Sequence, residues 1–152
     1  MAAPLLQAKI DIDAPVATVW NLISDFNRMP EWSPQCRRMK ARGPLQAGTR
    51  TINLNRRGML FWPTTSVLTE VTPEKKLAFV VNENGTEWSY ELEPTANGTR
   101  VTETRRAANG VVKPISAFLT RTVLGGMEVF EDELVEGMNA SLSRIKAAAE
   151  RR

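Results

Sequence analysis

Residues 87–106 read EWSYELEPTANGTRVTETRR, and two period-two runs meet there across an Asn-Gly pair. In the first run Trp88, Tyr90 and Leu92 alternate with Glu87, Glu91 and Glu93. A strand with that pattern carries its large apolar side chains on one face and its carboxylates on the other. Asn97-Gly98 supplies residues that tolerate positive φ, so it marks a hairpin turn. In the second run Glu103 and Arg105 share the parity of Val101, so they share its face. The result is an antiparallel hairpin with one apolar side and a pair of charges on that side.

Similar segments lie on the N-terminal side. The turn signals Gly43-Pro44 with Gly48, Arg57-Gly58, Thr72-Pro73 and Asn84-Gly85 separate them. Strands are expected at 36–41, 49–55, 61–71, 77–82, 87–93 and 99–106, in the order of an antiparallel meander. Residues 6–12, LQAKIDI, alternate as well and add a strand at the start. Asp13 is then expected to cap a short helix that has Pro15 in its first turn and Val16, Val19, Trp20 and Ile23 on one face. Residues 25–34, DFNRMPEWSP, form a second, shorter helix, because Pro30 and Pro34 limit it to a turn or two.

On the C-terminal side, Asn109-Gly110 is a turn, and Pro114 opens a short helical stretch through Phe118 and Leu119 that Gly125-Gly126 ends. The last segment is helical throughout. Met127, Phe130, Leu134, Met138, Leu142, Ile145 and Ala149 recur at spacings of three and four, with acidic residues at the start and basic ones at the end. The expected class is α+β, with a six- to seven-stranded curved antiparallel sheet around a long C-terminal helix and two short helices after the first strand. No linker or repeat divides residues 1–152, so one domain is expected.

Composition narrows the chemistry. Hydrophobic residues are 42% and charged residues 24%, which excludes a disordered or collagen-like chain. There is no histidine and only one cysteine, Cys36, so Ser-His-Asp and Cys-His catalysis are excluded. A zinc site is not expected either, and neither a metal nor a cofactor is called for. The net charge of +3 is too mild to argue for nucleic acid. The basic cluster Arg37, Arg38, Lys40 and Arg42 with Arg56 and Arg57 reads as a solvated charged face, the alternative being contact with lipid headgroups or a partner. The first seven residues carry no signal-peptide pattern and no run approaches the ~20 apolar residues of a membrane span, so a cytoplasmic protein is expected. Monomer and homodimer are both open.

The motifs and their order resemble the START/Bet v 1-like superfamily, in its polyketide cyclase/dehydrase-like branch. Residues 12–20, IDAPVATVW, look like the strand-to-helix opening, and residues 25–34 resemble the short second helix. EVTP at 70–73 followed by KLAF at 76–79 is similar to the hairpin in mid-sheet, and GTRVTE at 98–103 to the start of the last strand. Residues 126–142 and KAAAE at 146–150 look like the closing helix. The resemblance covers about 6–150 and implies a helix-grip fold with a cavity between sheet and helix. It leaves function open, because the superfamily contains lipid carriers, hormone receptors, quinone-binding proteins, cyclases and oxygenase subunits.

Inward-facing aromatics and the helix stripe give the candidate ligand-binding set: Trp62, Phe79, Trp88, Tyr90, Met127, Phe130, Leu134 and Met138. Leu77, Val81, Val67 and Val71 are expected on the same side. Core packing is the alternative for each. Glu103, paired with Arg105, is the expected polar anchor, because a charge facing an apolar cavity needs a partner or a ligand; the alternative is a bulge or edge position that leaves both in water. Two registers are open for 49–55: alternation through Ile52 and Leu54 sends the asparagines outward, whereas the resemblance, aligned on Gly48, implies that Thr51, Asn53 and Asn55 turn inward. The first functional expectation is binding of a lipid, sterol, quinone or polyketide-like molecule. The second is a cofactor-independent cyclase, dehydratase or aromatase that uses Glu103, Arg105 and Tyr90. The third is a protein-interaction module.

Overall fold

The computed structural model describes residues 5–33, 36–83, 85–107 and 127–151, and the side chains of the closing helix from Leu134 onward. Strand β1 (Leu5–Ile12) is followed by α1 (Val16–Ile23), a 3₁₀ turn (Phe26–Arg28) and α2 (Met29–Trp32). Strands β2 (Cys36–Ala41), β3 (Arg50–Arg57), β4 (Leu60–Thr72), β5 (Lys76–Val81), β6 (Thr86–Pro94) and β7 (Thr99–Arg106) come next, and α3 (Met127–Glu150) closes the fold. The sheet runs β1-β7-β6-β5-β4-β3-β2, antiparallel throughout. Every expected strand is present. The turn and short helix expected between 108 and 126 lie outside the described residues.

The helix stripe packs as its spacing requires: Leu134, Met138, Leu142, Ile145 and Ala149 are all buried. With Val19, Trp20 and Ile23 of α1 and Ile12 and Val101 of the sheet they form one core. The C-terminal half of α3 is also tied down by polar contacts. Lys146 Nζ donates to the Asp11 carbonyl at 3.0 Å, the Asp13 N–H donates to the Glu150 carboxylate at 2.7 Å, and Arg144 Nη1 donates to the Trp32 carbonyl at 3.1 Å.

Two local expectations are corrected. Asp13 does not cap α1. Pro15 occupies that position with extended dihedrals and no side-chain hydrogen bond, while Asp13 uses its backbone N–H to reach α3. Val67 does not face inward. It pairs with Val80 on the opposite face from Ser66 and Leu68, and a bulge between Leu68 and Glu70 returns Val71 to the inner face opposite Leu77. The bulge inserts a residue, so strict alternation along β4 fails there.

Gly85 has a positive φ of 70°, as its hairpin requires. Gly98 is different: it is absent from the positive-φ positions, and proximity explains it instead. A Cβ there would stand 2.1 Å from the Ile12 carbonyl oxygen and 2.8 Å from the Ala14 nitrogen. The β6–β7 turn is pressed onto the chain leaving β1, and Thr99 Oγ1 hydrogen-bonds the Ala14 carbonyl at 2.8 Å to hold it. Gly98→Ala should therefore destabilise the protein by roughly 2–3 kcal/mol, because backbone must move to admit the methyl group. Urea unfolding checks this, and a change below about 0.5 kcal/mol would sink it.

Candidate functional site

α3 lies against β1 and β7 and against α1 and α2. The concave face of β3 to β6 is left with a cavity of about 480 Å³. Small residues on the facing side of the helix make the room: Gly137, Ala140 and Ser141 line it beside Leu134 and Met138. Ser141 does not add a free hydroxyl, because its Oγ donates to the Gly137 carbonyl one turn back at 2.8 Å. The middle of the cavity wall is apolar, made by Phe79, Val81 and Trp88. The volume lies within the roughly 300–1,000 Å³ usual for small-molecule sites.

Polar groups stand at two places. On β6 and β7, Tyr90 and Glu103 are cross-strand partners, and the Tyr90 hydroxyl donates to Glu103 Oε2 at 3.2 Å. Both are buried, and among the described residues Glu103 Oε1 has no hydrogen-bond partner. Burial pushes the Glu103 carboxyl up to about 8 against the opposing pull of the Tyr90 hydrogen bond. Burial, and then the neighbouring Glu103 charge, push the Tyr90 phenol well above its ordinary value. Glu103 is thus a neutral acid at pH 7.

The second polar place is on β3 and β4. Thr51 Oγ1 donates to Asn53 Oδ1 at 2.9 Å and contacts Ser66 Oγ, while Asn53 Nδ2 and Asn55 Nδ2 both donate to Thr64 Oγ1, at 3.2 and 3.0 Å. Asn53, Asn55 and Thr64 line the cavity. This settles the open register of β3 in favour of inward asparagines, and Ile52 and Leu54 are exposed instead. Cys36 also lines the cavity. Its thiol is pushed up to about 11 by burial, so it is a neutral group without nucleophilic character.

Of the residues singled out in the sequence, Phe79, Trp88, Tyr90, Glu103, Leu134 and Met138 line the cavity. Trp62 pairs with Asn55 on the inner face but is not in the lining, and its carbonyl accepts from Asn55 Nδ2. Arg105 is buried on the same face, across from Trp88 and Leu6, and does not line the cavity either. Among the described residues, the hydrogen-bond partner of Glu103 is Tyr90. The Met127 and Phe130 side chains lie outside the described residues. Sequence reasoning missed Thr64, Met29 and Ser33, and it reached Asn53 and Asn55 in only one of its two registers. Cross-strand pairing with Asn53 would have found Thr64, and α2 gave no such signal.

Residues 4–150 match the family described as "Polyketide cyclase / dehydrase and lipid transport". The chain belongs to that family. The fold of this family member recurs in solved structures. The di-domain ARO/CYC StfQ from the steffimycin biosynthetic pathway superposes with a TM-score of 0.77 at 18% identity, over 98% of this chain and 51% of StfQ. The chain therefore spans about half the length of StfQ. The Polyketide_cyc-like protein Cgl2372 from Corynebacterium glutamicum matches with a TM-score of 0.63 at 24% identity, over 95% of this chain and 90% of its own. TTHA0849 from Thermus thermophilus matches at 0.69 and 18%, over 97% and 100%. At these identities the likeness shows the helix-grip fold. No curated protein matches. Among the described residues no helix is long and apolar enough to cross a membrane, and no three ligating side chains cluster for a metal.

The buried acid sets a pH dependence of stability. The unfolded chain releases the Glu103 proton near 4.5 and the folded chain near 8, so the folded state binds more protons between those values. Stability contributed by the neutral form is present below 4.5 and falls as pH rises through 8. Glu103→Gln should remove that fall. Relative to the wild type it should be stabilising by on the order of 3 kcal/mol at about pH 9 and near neutral at about pH 5. Thermal melts across that range check it, and parallel curves for the two proteins would refute the buried acid.

Proposed function

We propose that the protein binds an elongated apolar molecule of the lipid, sterol, quinone or polyketide type in the cavity, with the protonated Glu103 carboxyl donating a hydrogen bond to a ligand oxygen. The observation that carries this reading is the half-satisfied acid. Tyr90 engages Oε2, while Oε1 is buried beside an apolar cavity without a partner among the described residues. A buried polar atom left so is costly, and a ligand carbonyl or hydroxyl would relieve it.

The two polar places suggest the ligand's length. Glu103 on β7 and Asn53 on β3 are four strands apart in the sheet order. At about 4.8 Å per strand that is roughly 19 Å along the sheet, and less across its concavity. Between them the wall is Phe79, Val81 and Trp88. A rigid, ring-bearing molecule oxygenated at both ends fits such a wall.

A second reading has its own support. A carboxyl near 8 sits close to neutral pH, where a general acid or base is most effective, and Tyr90 is positioned to hold it. The chain would then be a cofactor-independent cyclase or dehydratase. The family description and the likeness to the ARO/CYC protein StfQ are consistent with either reading.

The test is native mass spectrometry of freshly purified protein, with solvent extraction and identification of what is released. A stoichiometric apolar compound is expected. Glu103→Ala should weaken its binding by a factor of roughly 3–10, the value of one neutral hydrogen bond. Affinity should also fall as pH rises through 8, because a charged carboxylate would then face the ligand. A clean apo mass, with no uptake from a panel of lipids, quinones and polyketides, would overturn the binding reading. Loss of turnover in Glu103→Gln with binding retained would select the enzyme.

A further inference from the structure

The outer face of β2, β3 and β4 carries a patch that the cavity does not use. On it Ile52, Leu54 and Phe61 are 45%, 38% and 53% exposed, and Pro63 lies among them, opposite Leu54. Met59, in the turn between β3 and β4, is 93% exposed. A soluble surface scatters single apolar residues, but five on one hairpin form a contiguous apolar feature.

The rim is basic. Arg38 pairs with Leu54 and Lys40 with Ile52, so both share the outer face with the apolar residues. Arg56 pairs with Phe61, places its guanidinium 5.3 Å from the ring centroid and donates to the Gly58 carbonyl at 2.7 Å. Arg50 has the same parity as Ile52 and is exposed. Among the described residues no ion pair engages Arg38, Lys40 or Arg50. The carboxylate of Glu83, beside this face, is engaged by the Thr65 N–H and hydroxyl.

We propose that this face docks on an anionic lipid surface, with Met59 and Phe61 at the headgroup–acyl boundary and Arg38, Lys40, Arg50 and Arg56 against the headgroups. A membrane offers both chemistries at once: negative charge at its surface and an apolar layer a few ångströms below. A second copy of the chain offers neither well. Strand β2 is an edge of the sheet and bears Arg37, Arg38 and Lys40, and a two-fold pairing would set these charges against their own copies. The inner side of the same hairpin lines the cavity through Asn53, Asn55 and Thr64, so docking would bring the cavity wall to the source of apolar ligands. Docking does not depend on which ligand, if any, the cavity takes.

The experiment is sedimentation of the full chain with vesicles of pure phosphatidylcholine and of phosphatidylcholine mixed with phosphatidylserine. Binding is expected to the mixed vesicles only, and added salt should weaken it. The double variant Met59→Ser, Phe61→Ser should lose it, and Arg38→Gln should weaken it about fivefold, the effect of one basic residue at an anionic surface. Circular dichroism should be unchanged, since the substituted side chains are exposed. Equal binding to both vesicle types, or wild-type binding by the double variant, would overturn the proposal. So would a concentration-dependent dimer in sedimentation equilibrium that the double variant abolishes, because a second copy would then cover the face.

Discussion

One helix cannot cover seven strands. The sheet is about 30 Å across at roughly 4.8 Å per strand, and a helix with its side chains is about 10 Å wide. α3 therefore has to choose its ground, and it lies over β1 and β7 with α1 and α2 beside it. Its C-terminal half is committed there by Leu142, Ile145 and Ala149, which are buried, and by the contacts of Lys146 and Glu150 with the end of β1. The concave face of β3 to β6 remains, and it must be covered by its own side chains or by something else. The rest of the molecule is organised around that leftover surface.

The elements that depend on burial alone were legible in the sequence. The stripe of α3 and the alternation of Trp88, Tyr90 and Leu92 report a single apolar face, and nothing competes with that face for the interior. Strand β3 was not legible by the same rule. Its larger apolar residues, Ile52 and Leu54, point to solvent, and Thr51, Asn53 and Asn55 point inward. Hydrophobic alternation assumes that the inner face is the apolar one, and a polar cavity wall inverts the assumption. Val67 failed for another reason, since a bulge after Leu68 changes the parity of β4 and leaves no mark in composition. Asp13 failed because Glu150, far away in sequence, takes its N–H.

The inward turn of Glu103 was legible, and its partner was not. Parity placed Glu103 and Arg105 on one face and made an ion pair the natural expectation. The sheet instead puts Tyr90 directly across from Glu103 and Trp88 across from Arg105. A phenol donates one hydrogen bond and brings no charge, so burial wins over it and the carboxyl stays protonated to about 8. A guanidinium in the same place would have held the carboxylate ionised and closed both its oxygens. Choosing tyrosine keeps a neutral acid with one oxygen uncommitted, which is the property on which both functional readings rest.

The inversion of β3 ties the inner site to the outer surface. Side chains on a strand alternate, so bringing Thr51, Asn53 and Asn55 to the cavity obliges Ile52 and Leu54 to leave it. The sequence had a simple alternative. Polar residues at 52 and 54 would have given an ordinary solvated face at no cost to the cavity wall, and apolar ones there contribute nothing to the core. Their presence beside Phe61 and Met59, inside a rim of Arg38, Lys40 and Arg56, is therefore not a by-product of building the site. One register gives β3 two jobs, a polar wall toward the cavity and an apolar surface away from it. A one-residue slip would exchange them: the cavity would lose its amides and the outer patch its hydrocarbon.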